Sequence, residues 1–577
     1  MQKMNKYEKL SAERKRLISN NEAPDWLSTA GYQLLSSKNY LDTGETPKDM
    51  YSRVAKRASE LTKFEIPSDY GYSNWNEAFF DVLWKGWLSP STPVLTNLGN
   101  ERGHPISCSS TYVPDSIRGF YQARTEIAQL TQRGYGTSVC LDTIRPRGSK
   151  ISRGGTANGV MQLAGGLVDD MKEVSQGSSR RGSVGQYINP LHPDFDEVAD
   201  RLLNDDDGFN IGWNITDEFE ELFKRDPKRA DYIWKRMMKI KLTKGKGYFF
   251  FLDRANRASP QMYKDRGFTI KNSQLCSEIA LMSDENHSYT CALSSANVAK
   301  YNEWKDTKLF QIITVFIDAV IEDMLIKARL EEGFEKVVAF TEKSRAQGQG
   351  LLGLSTYFQQ EGMIFGDFRS IVFNQQLLKR MDKDTLDASK LMAIEVGEPE
   401  WMTDYGERCS HRIAIAPTMS TATIMGGVSS GIEPVYANIY SQDTAGGSVY
   451  RINPPFLRLM KDRNMYTEEV MTRVAEDQGS VQGETWLTDT EKQVYRTAFE
   501  INQETIIRMS SDRQKFGVDQ SQSTNLYFTA EEAEEEIARI HDIAFRDEHL
   551  LSLYYVRTLN KSMKVEVNKT ECEACDG

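Results

Sequence analysis

Short apolar runs alternate with segments of helical periodicity in this chain, and this alternation limits its fold more than any other feature. Apolar residues recur at helical spacing in 309–345 and 370–395. Short apolar runs such as 247–252 suit buried strands instead. The alternation of the two patterns predicts an α/β fold.

The two ends of the chain differ from its centre. Residues 1 to about 90 interleave charged and aromatic residues, which predicts a helical packing domain. Near the other end, an acidic amphipathic helix is predicted at about 530–546, before an apolar run at 550–556. A polar tail follows this run and contains the pair Cys572-x-x-Cys575.

Three glycine-rich stretches lie between these ends, at 133–138, 147–155 and 175–183. Each stretch combines bare backbone with cations or hydroxyl groups. A hydroxyl-rich loop at 417–423 adds a fourth polar segment. Because backbone amides in such loops form concavities that bind anions, these stretches indicate that the protein cradles a polar ligand.

Composition excludes several classes of protein. The chain has 577 residues and a net charge of −11, and its charged fraction of 27% is ordinary for a globular protein. An acidic balance argues against binding to duplex nucleic acid but permits a local phosphate pocket. The best candidate for a membrane span, at 312–321, is ten residues long and therefore too short. The N-terminus has no apolar signal region, so we expect a cytoplasmic chain. In that compartment, an odd number of cysteines with a Cys-x-x-Cys pair favours redox or metal chemistry over a framework of structural disulfides.

One short segment could carry chemistry of its own. In an extended segment, side chains alternate between faces, so Gln274, Cys276 and Glu278 would share one face. A neighbouring carboxylate raises the pKa of a thiol, so the group suits hydrogen-atom transfer by a neutral S–H, with the carboxylate as a base. The alternative is a buried cysteine on an ordinary strand, and the spacing alone favours it.

Three further motifs allow competing interpretations. Cys572 and Cys575 suit a tethered dithiol that exchanges with an internal disulfide, whereas a zinc site would have to recruit distant ligands such as His104 and Cys108. The adjacent tyrosines at 554–555 are, by themselves, typical core residues. Residues 348–353 match G-x-G-x-x-G but follow a polar helical stretch and not a strand, so we reject a Rossmann site.

Taken together, eight motifs resemble the large, catalytic subunit of class I ribonucleotide reductase, in forms without an ATP-cone. They are Ser91-Thr92-Pro93, Ile106-Ser107-Cys108, Gln274-Leu275-Cys276-Ser277-Glu278-Ile279, Cys291-Ala292-Leu293-Ser294-Ser295, Pro417 to Thr421, Gly431-Ile432-Glu433-Pro434, Leu553-Tyr554-Tyr555 and the pair Cys572/Cys575. Their order from about residue 88 to the end is specific. The resemblance implies a ten-stranded α/β barrel with a finger loop over 91–558, an N-terminal helical domain over 1–90, and a flexible redox-active tail over 559–577.

The resemblance also implies a reaction, the reduction of ribonucleoside diphosphates to 2′-deoxyribonucleotides for DNA synthesis. Cys276 would carry a thiyl radical that takes the 3′ hydrogen, and Glu278 would accept the 3′-hydroxyl proton. Cys108 and Cys291 would then reduce the nucleotide and become a disulfide.

Other implied residues support this reaction from outside the reacting centre. Tyr554 and Tyr555 would relay the radical to Cys276, and the Cys572/Cys575 pair would reduce the internal disulfide. The implied substrate-binding residues are Thr92, Ser107, Gly134, Pro417, Thr418, Met419, Ser420 and Thr421. The implied effector-binding residues, for dNTP or ATP at a dimer interface, are Asp115, Arg145, Ser175, Arg180 and Arg181.

The implied partners follow from the same resemblance. A metal-containing small (β) subunit would supply the radical, a thioredoxin or glutaredoxin would recycle the tail, and two copies of the chain would form a homodimer. The chain itself would hold no permanent cofactor and no metal, and would bind neither nucleic acid nor membrane. The segment before Ser91 is too short to hold both the family's helical domain and an ATP-cone, and it has no Val-x-Lys-Arg-type cone opening, so we expect no control by dATP there.

The chain departs from the family at one position. The family has Asn two residues before the radical cysteine, near the substrate 2′-hydroxyl, and Gln274 stands there with its amide one methylene further out. Asn272 is a possible substitute.

The adenosylcobalamin-dependent class II reductase is a close alternative to class I. It shares the barrel and cysteines but needs no tyrosine relay, so the pair at 554–555 favours class I.

A different class of protein would also carry some of these motifs. A nucleotide-binding or zinc-binding interaction protein would keep its function after substitution of Cys276 by serine. Cys140 and Cys409 have no assigned chemistry, and buried packing is the better interpretation for both.

Overall fold

The first part of the chain folds into helices, as predicted. The computed structural model describes residues 6–559 apart from 38–39, 153, 177–179, 205–207 and 445–446. Its first helices are α1 (Lys6–Ser19), α2 (Thr29–Ser37), α3 (Pro47–Leu61), α4 (Trp75–Trp84) and α5 (Thr92–Asn97). Helix α3 shows how the sequence starts a helix: Thr46 and Asp49 form a reciprocal capping box, and Pro47 takes a position in the first turn.

The helices after residue 100 surround a sheet-based core. They are α6 (Ile117–Gln132), α7 (Val160–Glu173), α8 (Phe195–Asn204), α9 (Asp217–Arg225), α10 (Pro227–Lys244), α11 (Leu252–Ala258), α12 (Gln261–Arg266), α13 (Tyr301–Trp304), α14 (Leu309–Ala328), α15 (Glu335–Ser344), α16 (Leu354–Gln360), α17 (Phe368–Val396), α18 (Met419–Ile424), α19 (Pro454–Asp462), α20 (Glu468–Glu476), α21 (Asp489–Val494), α22 (Gln503–Phe516) and α23 (Glu534–Arg546). Short 3₁₀ helices lie at Ser68–Tyr70, Val298–Lys300, Glu400–Met402 and Ala498–Glu500. The predicted helices at 309–345, 370–395 and 530–546 are therefore present, the first as two helices.

The strands include the one predicted at 247–252, which is β8. In chain order they are β1 (Leu88–Pro90), β2 (Cys108–Ser110), β3 (Thr137–Cys140), β4 (Ser175–Gln176), β5 (Arg180–Arg181), β6 (Val184–Ile188), β7 (Asn210–Ile215), β8 (Tyr248–Phe251), β9 (Tyr289–Asn297), β10 (Gln347–Leu352), β11 (Ile439–Thr444), β12 (Gly447–Ile452), β13 (Leu526–Thr529), β14 (Ser552–Leu553) and β15 (Val556–Leu559). The G-x-G-x-x-G sequence lies within and just after β10 and follows helix α15, which agrees with our rejection of a Rossmann site.

Ten strand segments close into a ring made of two parallel halves. In one half, β2, β3, β6, β7 and β8 run parallel. In the other half, β9 and β10 run parallel to three further segments, at 413–415, 522–529 and 552–559. The halves meet antiparallel at two seams, β2 against β9 and β8 against β14. This ring is the predicted ten-stranded α/β barrel.

Helix α14 joins the barrel to the N-terminal helices. It contacts β9 and β10 on one side and α3, α4 and α17 on the others, so nearly all its faces are buried. The rings of Phe79 and Phe316 meet edge-on at 5.4 Å. Asp323 is buried on the same helix and accepts from the Arg57 guanidinium at 2.7 Å. Packing and this buried ion pair therefore fix the helical part against the barrel.

The predicted finger loop lies at about 270–282 and reaches strands of both halves of the ring. Asn272 donates to Ser110 on β2 and Ser138 on β3, at 3.0 and 3.1 Å. On the opposite side, the Ser521 N–H donates to the backbone oxygen of Glu278 at 2.9 Å. The loop is therefore fixed inside the barrel. Within the described residues, no helix is long and apolar enough to cross a membrane.

Candidate active site

The tip of the finger loop is a turn, so our prediction of an extended segment was wrong. The Ser277 N–H donates to Gln274 O at 3.2 Å, and Ser277 has a left-handed φ of 70°. This backbone conformation is costly for a residue other than glycine. It persists because Tyr187 on β6 holds it: the Tyr187 hydroxyl donates to Gln274 O at 2.6 Å and bonds Ser277 Oγ at 2.9 Å.

Glycine makes room for this tyrosine. Gly212 on β7 lies against the Tyr187 ring, and a Cβ atom there would overlap the ring. Without the glycine, Tyr187 could not reach the turn. The turn places the Cys276 thiol against Tyr554 and the Glu278 carboxyl group near Cys108, although not through strand alternation.

Cys276 lies against a buried group of three tyrosines. The Tyr554 hydroxyl donates to Cys276 Sγ at 3.3 Å. The rings of Tyr554 and Tyr555 lie 4.2 Å apart, and Tyr248 on β8 stands 4.6 and 5.2 Å from them. All four side chains are buried. The tyrosines are thus core residues, as their sequence alone indicates, and one of them also contacts the thiol directly.

Glu278 is a fully buried carboxyl group. Burial raises its pKa to about 7, and hydrogen bonds with Gln274 and Ser523 partly oppose this rise because they favour the anion. Glu278 Oε1 lies 4.0 Å from Cys108 Sγ. A carboxyl group with a pKa near neutrality can both accept and return a proton at physiological pH.

Cys108 and Cys291 face each other across the β2–β9 seam, where they are direct partners in the antiparallel register. Opposed residues in such a pair have Cα atoms roughly 4.5–5.5 Å apart, which lies within the range of a disulfide. Both are present as thiols and are not joined to each other by a disulfide. Burial, together with Cys108 and Glu278 nearby, raises the pKa of Cys291 well above its ordinary value. Gly348 leaves room for the thiol, since a Cβ atom there would lie 2.9 Å from Cys291 Sγ.

Gln274 stands between the thiol and the carboxyl group. Its Nε2 donates to Cys108 Sγ at 3.7 Å, and its amide favours the ionised form of Glu278, which lowers the pKa of that carboxyl group. Asn272 instead donates to Ser110, Ser138 and the backbone oxygen of Ser273. The amide at 274 therefore belongs to the buried cluster, whereas the Asn272 amide nitrogen is used to anchor the loop.

The predicted substrate-binding residues lie on segments around this cluster. Ser107 is buried directly before Cys108, and Gly134 has a left-handed φ of 107°. Thr92 Oγ1 bonds the Tyr40 hydroxyl at 2.9 Å at the end of β1. Thr418 precedes α18, which packs against β1, and its Oγ1 accepts from the Gly431 N–H at 2.7 Å. The loop at 417–421 is thus tied to the segment 431–434, and lies near Thr92.

The predicted effector-binding residues lie apart from the buried cluster. Arg145 and Asp115 form an ion pair at 2.6 Å. Ser175 pairs with Arg181, and Gln176 with Arg180, in the small β4–β5 sheet. Helix α6, which starts just after Asp115, contacts β4. The structure therefore brings both parts of this set against one helix.

The remaining cysteines fall into two pairs, and the histidine considered for a zinc site has other partners. Cys572 and Cys575 lie outside the described residues. Cys140 and Cys409 are buried in the core. The His104 ring bonds Tyr135 and Glu331, and within the described part of the chain no group of three or more His, Cys, Asp or Glu side chains could hold a metal ion.

Three residues of the cluster were missed by our sequence analysis. Ser523 Oγ is within hydrogen-bond distance of Glu278, Gln520 Nε2 donates to Cys291 Sγ at 3.9 Å, and Tyr187 supports the turn. Ser523 and Gln520 belong to the segment 519–525, which is an unbroken run of polar residues. That run was the available signal for both, whereas nothing local distinguishes Tyr187 from a core residue.

Comparison with known proteins identifies the family. The model of "Ribonucleotide reductase, barrel domain" matches residues 106–230, 211–404 and 398–556, and that of "Ribonucleotide reductase, all-alpha domain" matches 25–103. The ribonucleoside-diphosphate reductase large subunit of Invertebrate iridescent virus 3 is 27% identical over 87% of this chain and 92% of its own length. That of Vaccinia virus (strain Copenhagen) is 26% identical over 84% and 72%.

A solved structure gives the same answer at the level of the fold. The alpha subunit of the Actinobacillus ureae class Id ribonucleotide reductase superposes with a TM-score of 0.84. It is 30% identical in sequence, and the match covers 93% of this chain and 98% of that one. The chain therefore belongs to the ribonucleotide reductase large-subunit family and has the structure of a class I alpha subunit.

Proposed function

We propose that this chain reduces ribonucleoside diphosphates with a thiyl radical on Cys276. The observation that carries the proposal is the contact of the Tyr554 hydroxyl with Cys276 Sγ at 3.3 Å, on a loop whose Glu278 carboxyl group faces the buried thiols of Cys108 and Cys291. A phenol next to a thiol can exchange a hydrogen atom with it. A buried pair of thiols beside the same carboxyl group supplies two reducing equivalents.

The proposed reaction balances with the groups present. The thiyl radical of Cys276 takes the 3′ hydrogen atom of the substrate, and Glu278 takes the proton of the 3′-hydroxyl. The 2′-hydroxyl leaves as water, using a proton from a thiol of the Cys108–Cys291 pair. The other thiol of the pair gives its hydrogen to C2′, so the pair supplies two electrons and two hydrogens and forms a disulfide. Glu278 returns its proton to the 3′ oxygen, and Cys276 returns the hydrogen atom to C3′ and becomes a radical again.

The proposed partners follow from the class. Class I alpha subunits work with a separate small subunit, and we assign Tyr555 and Tyr554 as the path by which a metal-containing small subunit sends the radical to Cys276. Cys572 and Cys575 would reduce the Cys108–Cys291 disulfide and would be recycled by a thioredoxin or glutaredoxin. Asp115, Arg145 and the segment 175–181 would bind dNTP or ATP effectors in a homodimer.

Reconstitution tests the proposal directly. The chain is mixed with a radical-generating small subunit and a dithiol reductant, and the formation of each deoxynucleotide is measured from ribonucleoside diphosphates and from triphosphates. We expect turnover of the diphosphates that depends on the small subunit. Turnover with added adenosylcobalamin and no small subunit would overturn the assignment to class I.

Replacing Gln274 with alanine is expected to lower kcat about 10²-fold while nucleotide binding stays intact. The reason is that this amide donates to the Cys108 thiol and favours the ionised form of the Glu278 carboxyl group, and removing one such placed donor typically costs 10²–10³-fold. The measurement is single-turnover reduction alongside equilibrium nucleotide binding. Gln274→Asn keeps the amide and is the matched control; unchanged turnover in the alanine variant would refute this role.

The activity should rise with pH on its acidic side, with a midpoint near the Glu278 pKa of about 7. Only the ionised carboxylate can accept the 3′-hydroxyl proton, and its fraction grows as the pH rises through that value. The check is a pH profile of kcat for the reconstituted enzyme. Glu278→Gln, which cannot take up a proton, should lose turnover at every pH tested, and a persistent acidic limb in this variant would contradict the assignment.

A further inference from the structure

Ser523 lies where the backbone of the radical cysteine and the proposed base meet. Its Oγ is 2.6 Å from the backbone oxygen of Cys276 and 3.0 Å from Glu278 Oε2. Its side chain is 2% exposed, and its backbone N–H donates to Ile415 O at 2.9 Å. The strand at 522–529 therefore holds one hydroxyl group between two acceptors.

A hydroxyl group has a single proton to donate, so Ser523 satisfies the two acceptors differently in the two states of Glu278. When Glu278 is ionised, its carboxylate can only accept, and Ser523 donates to it. When Glu278 is protonated, its own O–H can donate to Ser523 Oγ, and Ser523 then donates to Cys276 O. Both arrangements use the same heavy-atom positions, so the change needs only rotation of the hydroxyl group.

We infer that Ser523 is a positioning residue that couples the protonation of Glu278 to the backbone of Cys276 during turnover. The inference rests on the roles proposed above for these two residues. When Glu278 takes the 3′-hydroxyl proton, Ser523 moves its hydrogen bond to the carbonyl of the residue that carries the radical. This carbonyl precedes Ser277, whose left-handed φ of 70° is disfavoured, so the bond supports a strained turn.

The pKa values of the neighbouring groups allow the protonation of Glu278 to determine which hydrogen bond Ser523 makes. The titratable groups that face it are the thiols of Cys108, Cys276 and Cys291 and the phenol of Tyr187. Burial raises the pKa of Cys291 and of Tyr187 well above their ordinary values, so both stay neutral near pH 7. The hydrogen bond from Ser523 favours the carboxylate and lowers the Glu278 pKa.

The test compares Ser523→Ala with the wild-type chain in the reconstituted enzyme. Losing one hydrogen bond to an ionised group is expected to raise the midpoint of the acidic limb of the kcat profile by about one pH unit. From a midpoint near 7, this shift lowers kcat about fivefold at pH 7 and leaves it almost unchanged at pH 9. KM for the nucleotide should stay the same, because Ser523 is not placed against the substrate.

Two variants separate this role from a general effect of the substitution. Ser521→Ala removes a buried hydroxyl from the same segment, but Ser521 Oγ bonds Ser552 Oγ at 3.2 Å and not the carboxyl group. We expect this variant to keep the wild-type profile, and Ser523→Thr to restore it. An unshifted midpoint in Ser523→Ala, or an equal shift in Ser521→Ala, would overturn the inference.

An infrared titration decides the matter without turnover. The carboxyl band of Glu278, identified by its loss in Glu278→Gln, is followed with pH in the isolated chain. Ser523→Ala should raise the midpoint of this band by the same amount, and an unchanged midpoint would contradict the inference even if Ser523→Thr folds poorly. If the wild-type chain shows no reductase activity, the proposed function fails, while the infrared result still reports on the contact between Ser523 and Glu278.

Discussion

Replacing Cys276 with serine is expected to abolish turnover, lowering it at least about 10⁴-fold. The substitution keeps the size of the side chain and a group that can accept the Tyr554 hydrogen bond. It removes the weak S–H bond on which the proposed reaction depends, since an O–H bond holds its hydrogen atom more tightly. A rise of only about 5.5 kcal/mol in the barrier already gives this loss.

The matched control for this prediction is Cys140→Ser. Cys140 is also buried, and Asn214 donates to its Sγ at 3.7 Å, so a serine hydroxyl keeps an acceptor in the same place. We expect this variant to retain turnover, and both variants to bind nucleotide. If Cys276→Ser kept its turnover, the Cys276 thiol would not carry the radical. An interaction protein would instead show no turnover in the wild type and equal nucleotide binding in both proteins.

Local sequence patterns predicted which residues form the site but not the backbone conformation that positions them. The pattern of amide, thiol and carboxylate at 274–278 predicted that three side chains act together. In the structure, Gln274 and Glu278 both lie near Cys108, and the Cys276 thiol lies against Tyr554. The predicted cause, strand alternation, is wrong because Ser277 adopts a left-handed turn. That turn depends on Tyr187 and Gly212, which lie on other strands. A tertiary contact of this kind leaves no trace in the local periodicity.

Some strands of the barrel could likewise be predicted from the sequence, and others could not. Strand β8 was predictable because its four residues form a continuous apolar run. The segment at 413–415 closes the ring through single bridges to Gln349 and Gln522, and three residues are too few for any periodicity. Ser523 and Glu278 are 245 residues apart, so only the closed barrel shows that they touch. Specific motifs therefore predicted the architecture, whereas the supporting contacts needed the fold.

Replacing Tyr554 with phenylalanine is expected to lower turnover at least about 10³-fold while leaving the fold intact. The aromatic ring keeps its packing against Tyr555 and Tyr248, at 4.2 and 4.6 Å. Only the hydroxyl group that donates to Cys276 Sγ is lost. A phenylalanine ring has no O–H from which a hydrogen atom can be exchanged with the thiol. The measurement is steady-state turnover with the small subunit, together with thermal unfolding.

A tyrosine elsewhere in the chain provides the control. Tyr51 on α3 is fully buried, and its hydroxyl has no hydrogen-bond partner among the described residues. Tyr51→Phe should therefore keep full turnover, which would show that losing a buried phenol is not harmful in itself. Equal activity of the wild type and Tyr554→Phe would mean that the radical reaches Cys276 by another route.

The same variant separates the two classes of reductase. In an adenosylcobalamin-dependent enzyme, the radical forms next to the cysteine, so the tyrosine hydroxyl is dispensable and Tyr554→Phe would stay active when the cobalamin is added. In a class I enzyme, the radical has to cross from the small subunit, and we propose the neighbouring rings of Tyr555 and Tyr554 as its path to Cys276. We therefore expect Tyr554→Phe to be inactive with the small subunit and not to be rescued by adenosylcobalamin, while its nucleotide binding matches that of the wild type.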